Sequence, residues 1–417
     1  MNPFRSIVMF AVARCPLQSS AALTARGIWR GAVGGYNQRP RCPRSAQIFS
    51  LAPQQHLLAS RDTSSAINRR QLIGRQAYRR ASHRRASTNG CNHDQRNEGL
   101  LQSSTSLLLG NILPFVGKAA MSVGTIGVGI LALLYFKQGS LLYIPTIDII
   151  GRDNSQNPPG YRSPSEYGIP FETHLIPSVD GVAVHSWLLL HPQSKERQMP
   201  TIIFFHGNAG NIGVRIPNAV EMFKLDANVL LVEYRGYGES EPEHVKPTES
   251  GIKADAEAVL DFILEHPKLD SSKVFIFGRS LGGAVAFHVS DYAERTNKPL
   301  AGIIVENTFE SIGHMVDILF PFLSPFKDVL LRNKWDSTAL AGKLTVPILY
   351  ISGDSDEIVP REQMEDLCRK SKESSRLPRF HSVKGGTHNE TWLQGGKEYW
   401  LAIKHFMQDA SNKNVNI

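Results

Sequence analysis

The chain has 417 residues, 41% of them apolar and 20% charged, with a net charge of +8. That length exceeds the roughly 250–300 residues at which a single core stops growing, so a large domain plus an appendage fits it. Residues 1–100 hold sixteen Arg, no Lys and three acidic residues, a net +13. The remaining 30 basic against 35 acidic residues give −5, which excludes a basic, nucleic-acid-binding body.

The leader, residues 1–105, is rich in Arg, Ser and Ala and has no acid before Asp62. That is the composition of an organelle transit peptide, with an extension from an over-long gene model as the second reading. A nucleic-acid arm ranks below both, because nothing in the leader resembles a folded DNA- or RNA-binding module. Weak hydrophobic periodicity predicts disorder. Cys15, Cys42 and Cys91 lie here, which leaves Cys368 alone in the body, so the body is expected to hold no internal disulfide.

Between Lys118 and Lys137 runs "AAMSVGTIGVGILALLYF", eighteen residues without a charge. A bilayer span needs about 17–25, and the glycines suit packing in lipid. One transmembrane helix is predicted over 119–136, with Tyr135 and Tyr143 near one interface. The other reading, a buried core helix, lacks a preceding domain to bury against. A single-pass protein of the ER or plasma membrane is expected, with the mitochondrion as the alternative if the leader is an import signal. Such a signal overrides the positive-inside rule, so topology stays open.

The body, 146–410, reads as alternating strands and helices. "FETHLIPSVDGVAVHSWLLLH" has the pattern of a hairpin turning at Asp180-Gly181. Strands are then expected at 201–207, 228–236, 273–278, 300–307, 347–354 and 379–385. The first five are nearly continuous apolar runs, as strands buried on both faces of a parallel sheet should be. Between them, 249–267 shows helical spacing at Ile252, Ala256, Val259, Leu260 and Ile263. The expected class is α/β: a mostly parallel sheet with an antiparallel start and helices on both faces.

Parallel sheets bind ligands at the carboxyl ends of their strands, and four polar groups follow strands directly. Gly278-Arg279-Ser280-Leu281-Gly282 matches G-x-S-x-G between a strand and a helix, the context of a nucleophile elbow. Helix capping explains a serine there but not both glycines, Gly278 and Gly282. His206-Gly207-Asn208-Ala209-Gly210-Asn211 sits where a second oxyanion donor belongs, assigned to the Asn208 backbone N–H beside that of Leu281. His206 is read as structural. Gly353-Asp354-Ser355-Asp356 supplies a carboxylate to orient an imidazole; Asp356 is chosen over Asp354, which is expected to bond the turn. His388, behind Gly385-Gly386, completes the order Ser280, Asp356, His388. These residues make an acyl-transfer site, with no metal or cofactor required.

"FFHGNAGNIG", "VEYRGYGES", "FGRSLGGAVA", "ISGDSDEIVP" and "GGTHNETW" together resemble the α/β-hydrolase superfamily. More narrowly, they are similar to membrane-anchored proteins of the bud-emergence (BEM) type, including the "QGSLLYIP" stretch that follows the anchor. The resemblance implies an α/β-hydrolase fold with a short lid, runs from about Lys137 to the C-terminus, and matches Ser280, Asp356 and His388 position by position. The leader departs from the pattern, and Met121 sits where an anchor of that kind could begin.

The lid is expected over 307–343, with Phe309, Met315, Ile318, Leu319, Phe320, Phe322, Leu323 and Phe326. It reads either as helix packing on the core or as an acyl-chain pocket or lipid-facing surface. The preferred substrate is an acyl ester or thioester on a lipid or acylated protein. A serine amidase or peptidase and a non-catalytic membrane scaffold are the alternatives.

Overall fold

The computed structural model describes residues 95–412 apart from 148, 193, 195 and 196. Most of the leader therefore lies outside the described residues. Helix α1, Gln95–Leu142, begins inside the stretch expected to be disordered and continues past both ends of the expected 119–136 span. Within it, Pro114–Leu142 is the one described helix long and apolar enough to cross a membrane.

Eight strands form one sheet in the order β1-β2-β4-β3-β5-β6-β7-β8. Strands β1 (Phe171–Pro177) and β2 (Ala183–Leu189) are the predicted hairpin. Gly181, at φ +84°, takes the left-handed turn position that glycine tolerates best. Strand β2 pairs antiparallel with β4 (Asn228–Val232). The rest is parallel: β3 (Thr201–Phe205), β5 (Val274–Arg279), β6 (Gly302–Glu306), β7 (Ile348–Gly353) and β8 (Pro378–Val383). Mostly parallel with an antiparallel start is the expected architecture.

The apolar runs have a direct cause. One face of the sheet carries Ile203, Ile276, Val305 and Tyr350, packed against helices α3 (Glu249–Glu265), α4 (Leu281–Arg295) and α7 (Arg361–Ser371). The other carries Phe204, Phe277, Ile304 and Ile351 against α2 (Ile216–Phe223) and α8 (Gly396–Ser411). A strand covered on both faces has no position for a polar side chain, so alternation disappears. Helix α3 starts where its sequence dictates: the Thr248 hydroxyl accepts from the Gly251 N–H at 3.1 Å, and Glu249 in the first turn complements the helix dipole.

The lid consists of α5 (Ile312–Leu319), a 3₁₀ stretch (Pro321–Phe326) and one helical turn, α6 (Lys327–Leu330). Only Met315 of α5 is buried, whereas Phe322 and Val329 are 65% and 83% exposed. One expectation fails outside the sheet. Tyr143 marks no membrane interface: it is buried, its hydroxyl donates to Asn333 Oδ1 at 3.0 Å, and it accepts from Trp335 Nε1 at 3.0 Å. A phenol with two internal partners is satisfied inside the protein.

Candidate active site

Strand order reverses between β3 and β5: β4 follows β3 on one side, while β5 lies on the other. This is the switch point at which open α/β sheets leave a crevice beyond the strand ends. The loops after β3 and β5 are therefore brought side by side by topology. Ser280 stands at the β5–α4 turn with φ 53° and ψ −118°, a region costly for a residue with a Cβ. Two contacts hold it there. Its N–H donates to Glu306 O at 2.9 Å, and its carbonyl accepts from Thr308 Oγ1 at 2.7 Å. The flanking glycines are required by close approach. A Cβ on Gly278 would enter the Gly282 carbonyl, and one on Gly282 would enter that of Phe205.

His388 lies between the other two predicted residues. Its Nε2 is 3.1 Å from Ser280 Oγ, and its Nδ1 is 2.8 Å from Asp356 Oδ2 and 3.1 Å from Oδ1. Asp356 Oδ1 also accepts from the N–H groups of Ile358 and Val359, at 2.8 and 2.9 Å, which fixes the carboxylate before the imidazole arrives. Asp354 bonds the turn, accepting from the Gly385 N–H at 2.5 Å. Leu281 opens α4, where the first N–H groups have no intrahelical acceptor. Asn208 approaches from the other side, on a loop whose Gly207 Cα would place a Cβ 3.7 Å from that of Ser280.

The loop after β3 that carries Asn208 rests on buried polar groups. His206 bonds the Gly207 carbonyl through Nδ1 at 2.6 Å, and burial pushes its pKa down to about 3. Burial also pushes Glu233 up to about 8, although the Ile212 N–H donates to its Oε1 at 2.9 Å. Both are neutral near pH 7, and the fixed charge at the loop is Arg215, whose Nη2 donates to Ala209 O at 2.7 Å. His206 thus has the structural place expected for it.

Residues after β6, in the stretch "VENTFESI" that also resembles the family, have no site role in the sequence analysis, although they follow a strand as the other groups do. Asn307 donates to the His388 carbonyl at 3.0 Å and to Thr391 Oγ1 at 3.0 Å, and accepts from the Gly353 N–H at 2.9 Å. It ties the His388 loop to the end of β7. Arg279, beside Ser280, is buried and makes two bonds to Glu306 Oε2, at 3.0 and 2.9 Å; Tyr399 donates to the same oxygen. "VENT" after an apolar run was the available signal.

One group of described residues has metal-ligand chemistry: Glu172, His174 and His266, on edge strand β1 and just past α3. Lys268 Nζ sits 2.6 Å from Glu172 Oε1 and already supplies a cation there.

Ser280 opens onto a cavity of about 300 Å³, small for a ligand pocket and lined mainly by apolar side chains. Lid residues Met315, Leu319 and Leu323 face residues of α1 across it.

This sheet order, with a strained serine at its switch point, an acid after β7 and a histidine after β8, defines an α/β-hydrolase. The family described as "Hydrolase_4: Serine aminopeptidase, S33" matches residues 196–335. Protein bem46 of Schizosaccharomyces pombe is 33% identical over 314 residues, 74% of this chain and 97% of that protein. The α/β-hydrolase domain-containing protein WAV2 of Arabidopsis thaliana is 32% identical over 312 residues, 71% of this chain and 96% of that one. An uncharacterized membrane protein of Saccharomyces cerevisiae is 31% identical, covering 64% of this chain and 94% of its own length. The chain belongs to the Bem46-type α/β-hydrolases.

Proposed function

We propose that the protein is a membrane-anchored serine hydrolase that cleaves acyl esters or thioesters through Ser280, His388 and Asp356. The observation that carries this reading is the chain of short contacts from Ser280 Oγ to His388 and on to Asp356, opening onto an apolar cavity. Ser280 Oγ attacks the acyl carbonyl while His388 Nε2 takes its proton. Asp356 holds the Nδ1–H and stabilises the imidazolium. The N–H groups of Leu281 and Asn208 receive the developing oxyanion, a donor being worth about 2.7–4 kcal/mol in such sites. His388 then protonates the leaving alcohol or thiol, and water, activated by the same imidazole, releases the acid from Ser280. Pro114–Leu142 anchors the enzyme.

The cavity favours an acyl group over a peptide. The matching family carries an aminopeptidase description, but an aminopeptidase site needs an anion for the substrate's ammonium. No Asp or Glu is among the described residues lining this cavity.

Labelling of the full-length protein with a fluorophosphonate, wild type beside Ser280→Ala, tests the reading. Labelling of wild type alone is expected. A folded wild type that stays unlabelled rules the hydrolase out in favour of a non-catalytic scaffold.

A further inference from the structure

The apolar helix is longer than a bilayer requires. Pro114–Leu142 has 29 residues, whereas about 20 cross the hydrocarbon core. The charge-free run ends at Lys137, and around that end Leu134, Gln138, Leu141 and Leu142 line the cavity above Ser280. Their spacing of three to four residues puts them on one helix face; Leu141 is 44% exposed at its edge, and Leu133 and Phe136, on other faces, are 59% and 71% exposed.

Gln138 is a polar residue at the end of an apolar helix, and its amide is committed to the end of the lid. Its Nε2 donates to Leu330 O at 2.9 Å, and its Oε1 accepts from the N–H groups of Arg332 and Asn333 at 2.8 and 3.1 Å. Just beyond the helix, the chain is stitched to the oxyanion loop. Asn208 Nδ2 donates to Leu142 O at 2.9 Å, the Ile144 N–H donates to Asn208 O at 2.9 Å, and the Gly210 N–H donates to Ile144 O at 3.0 Å. The Tyr237 hydroxyl also donates to Asn208 O at 2.7 Å. Both the lid and the loop that carries the second oxyanion donor are thus fastened to the membrane helix.

We infer that the end of the anchor, Leu134 to Ile144, is a working part of the active site: it walls a binding site for one fatty-acyl chain and braces the oxyanion loop. This inference rests on the hydrolase reading above. The chain reaches the cavity from the bilayer beside the anchor, and the exposed apolar residues of the tethered lid, Ile318, Phe322, Phe326 and Val329, offer it lipid-compatible surface.

The test uses full-length protein in phosphatidylcholine vesicles and p-nitrophenyl esters from acetate to dodecanoate. In wild type, kcat/KM is expected to rise about fourfold for each methylene buried, until the cavity is full. Leu141→Trp narrows the wall and should lower the ratio of dodecanoate to acetate turnover at least tenfold. Leu134→Ala widens it and should move the optimum to longer chains. Leu133→Trp, on another face, should keep the wild-type profile. Shifts in opposite directions are not produced by loss of folding. If Ser280 takes up fluorophosphonate but the chain-length profile ignores positions 134 and 141, the anchor wall is overturned and the hydrolase reading stands. An unlabelled Ser280 overturns both. Vesicles carrying lysophosphatidylcholine or an S-acylated peptide then distinguish the acyl carriers. Release of fatty acid from either supports the inference, and release from neither, with soluble esters still cleaved, overturns it.

Discussion

The two sides of the cavity are built on different physical terms. On the sheet side, Ser280, Asp356 and His388 stand at strand ends and are held by hydrogen bonds from Thr308, Asn307 and the Ile358 and Val359 N–H groups. On the lid side, α5 has one buried residue, and Phe322 and Val329 are exposed. Few polar contacts fix the lid, and those of Gln138 are prominent among them. Fixed donors and acceptors suit a reaction that needs geometry within a fraction of an ångström. A loosely packed apolar wall suits a ligand recognised by area alone, since hydrophobic attraction has no direction. One cavity therefore joins a rigid half, where we propose the chemistry occurs, to an adaptable half, where we propose the acyl chain binds.

The largest expected effect lies in the rigid half and separates two neighbouring carboxylates. Asp356→Asn keeps the shape but removes the charge and favours the wrong imidazole tautomer, so kcat is expected to fall about 10⁴-fold. Asp354→Asn keeps an oxygen for the Gly385 N–H and should change kcat less than tenfold. Ester hydrolysis by the two variants measures the difference, and a larger loss at position 354 would reverse the roles. Next comes a contrast in stability. Gly282→Ala drives a Cβ into the Phe205 carbonyl, an overpacking that costs about 1–3 kcal/mol. Phe322→Ser, at a side chain 65% exposed, should stay within about 0.5 kcal/mol. Denaturant midpoints in detergent check both, and equal losses would dissolve the contrast.

The same asymmetry explains what the sequence made legible. Strand ends are readable because apolar runs stop abruptly and polar residues follow, so Ser280, Asp356, His388 and the Asn208 loop could be picked out along the chain. Asn307 and Thr308 obey the same rule but resemble an ordinary loop, since their work is done on backbone carbonyls far away in sequence. The apolar wall was legible only as two separate pieces, an anchor and a lid, because hydrophobic residues carry no mark of what they pack against. Tyr143 was misread for that reason. An aromatic residue just past a membrane helix looks interfacial until Asn333 and Trp335, some 190 positions on, supply its partners. The length of α1 was underestimated because Lys118 and Lys137 bracket the apolar core, while the helical backbone ignores them.

An effect of the size expected at Gly282 concerns the layer under the loop after β3 and is read through pH. Glu233, held to about 8 in the fold, releases its proton near 4.3 when unfolded. Between those values the native state binds the extra proton, so this group makes stability fall as pH rises. His206 acts in the opposite sense. Depressed to about 3 from an ordinary value near 6.5, it contributes stability that is full above 6.5 and lost as pH falls toward 3. The two slopes oppose each other up to about pH 6.5, so Glu233 is visible alone between 6.5 and 8. There it should remove about 2 kcal/mol from the full-length protein. Glu233→Gln preserves a neutral acceptor for the Ile212 N–H and has no proton to lose. Thermal unfolding in detergent at pH 6.5 and pH 8 should therefore show a fall for wild type that the variant lacks. Parallel falls in both proteins would mean that the carboxyl under this loop is already ionised.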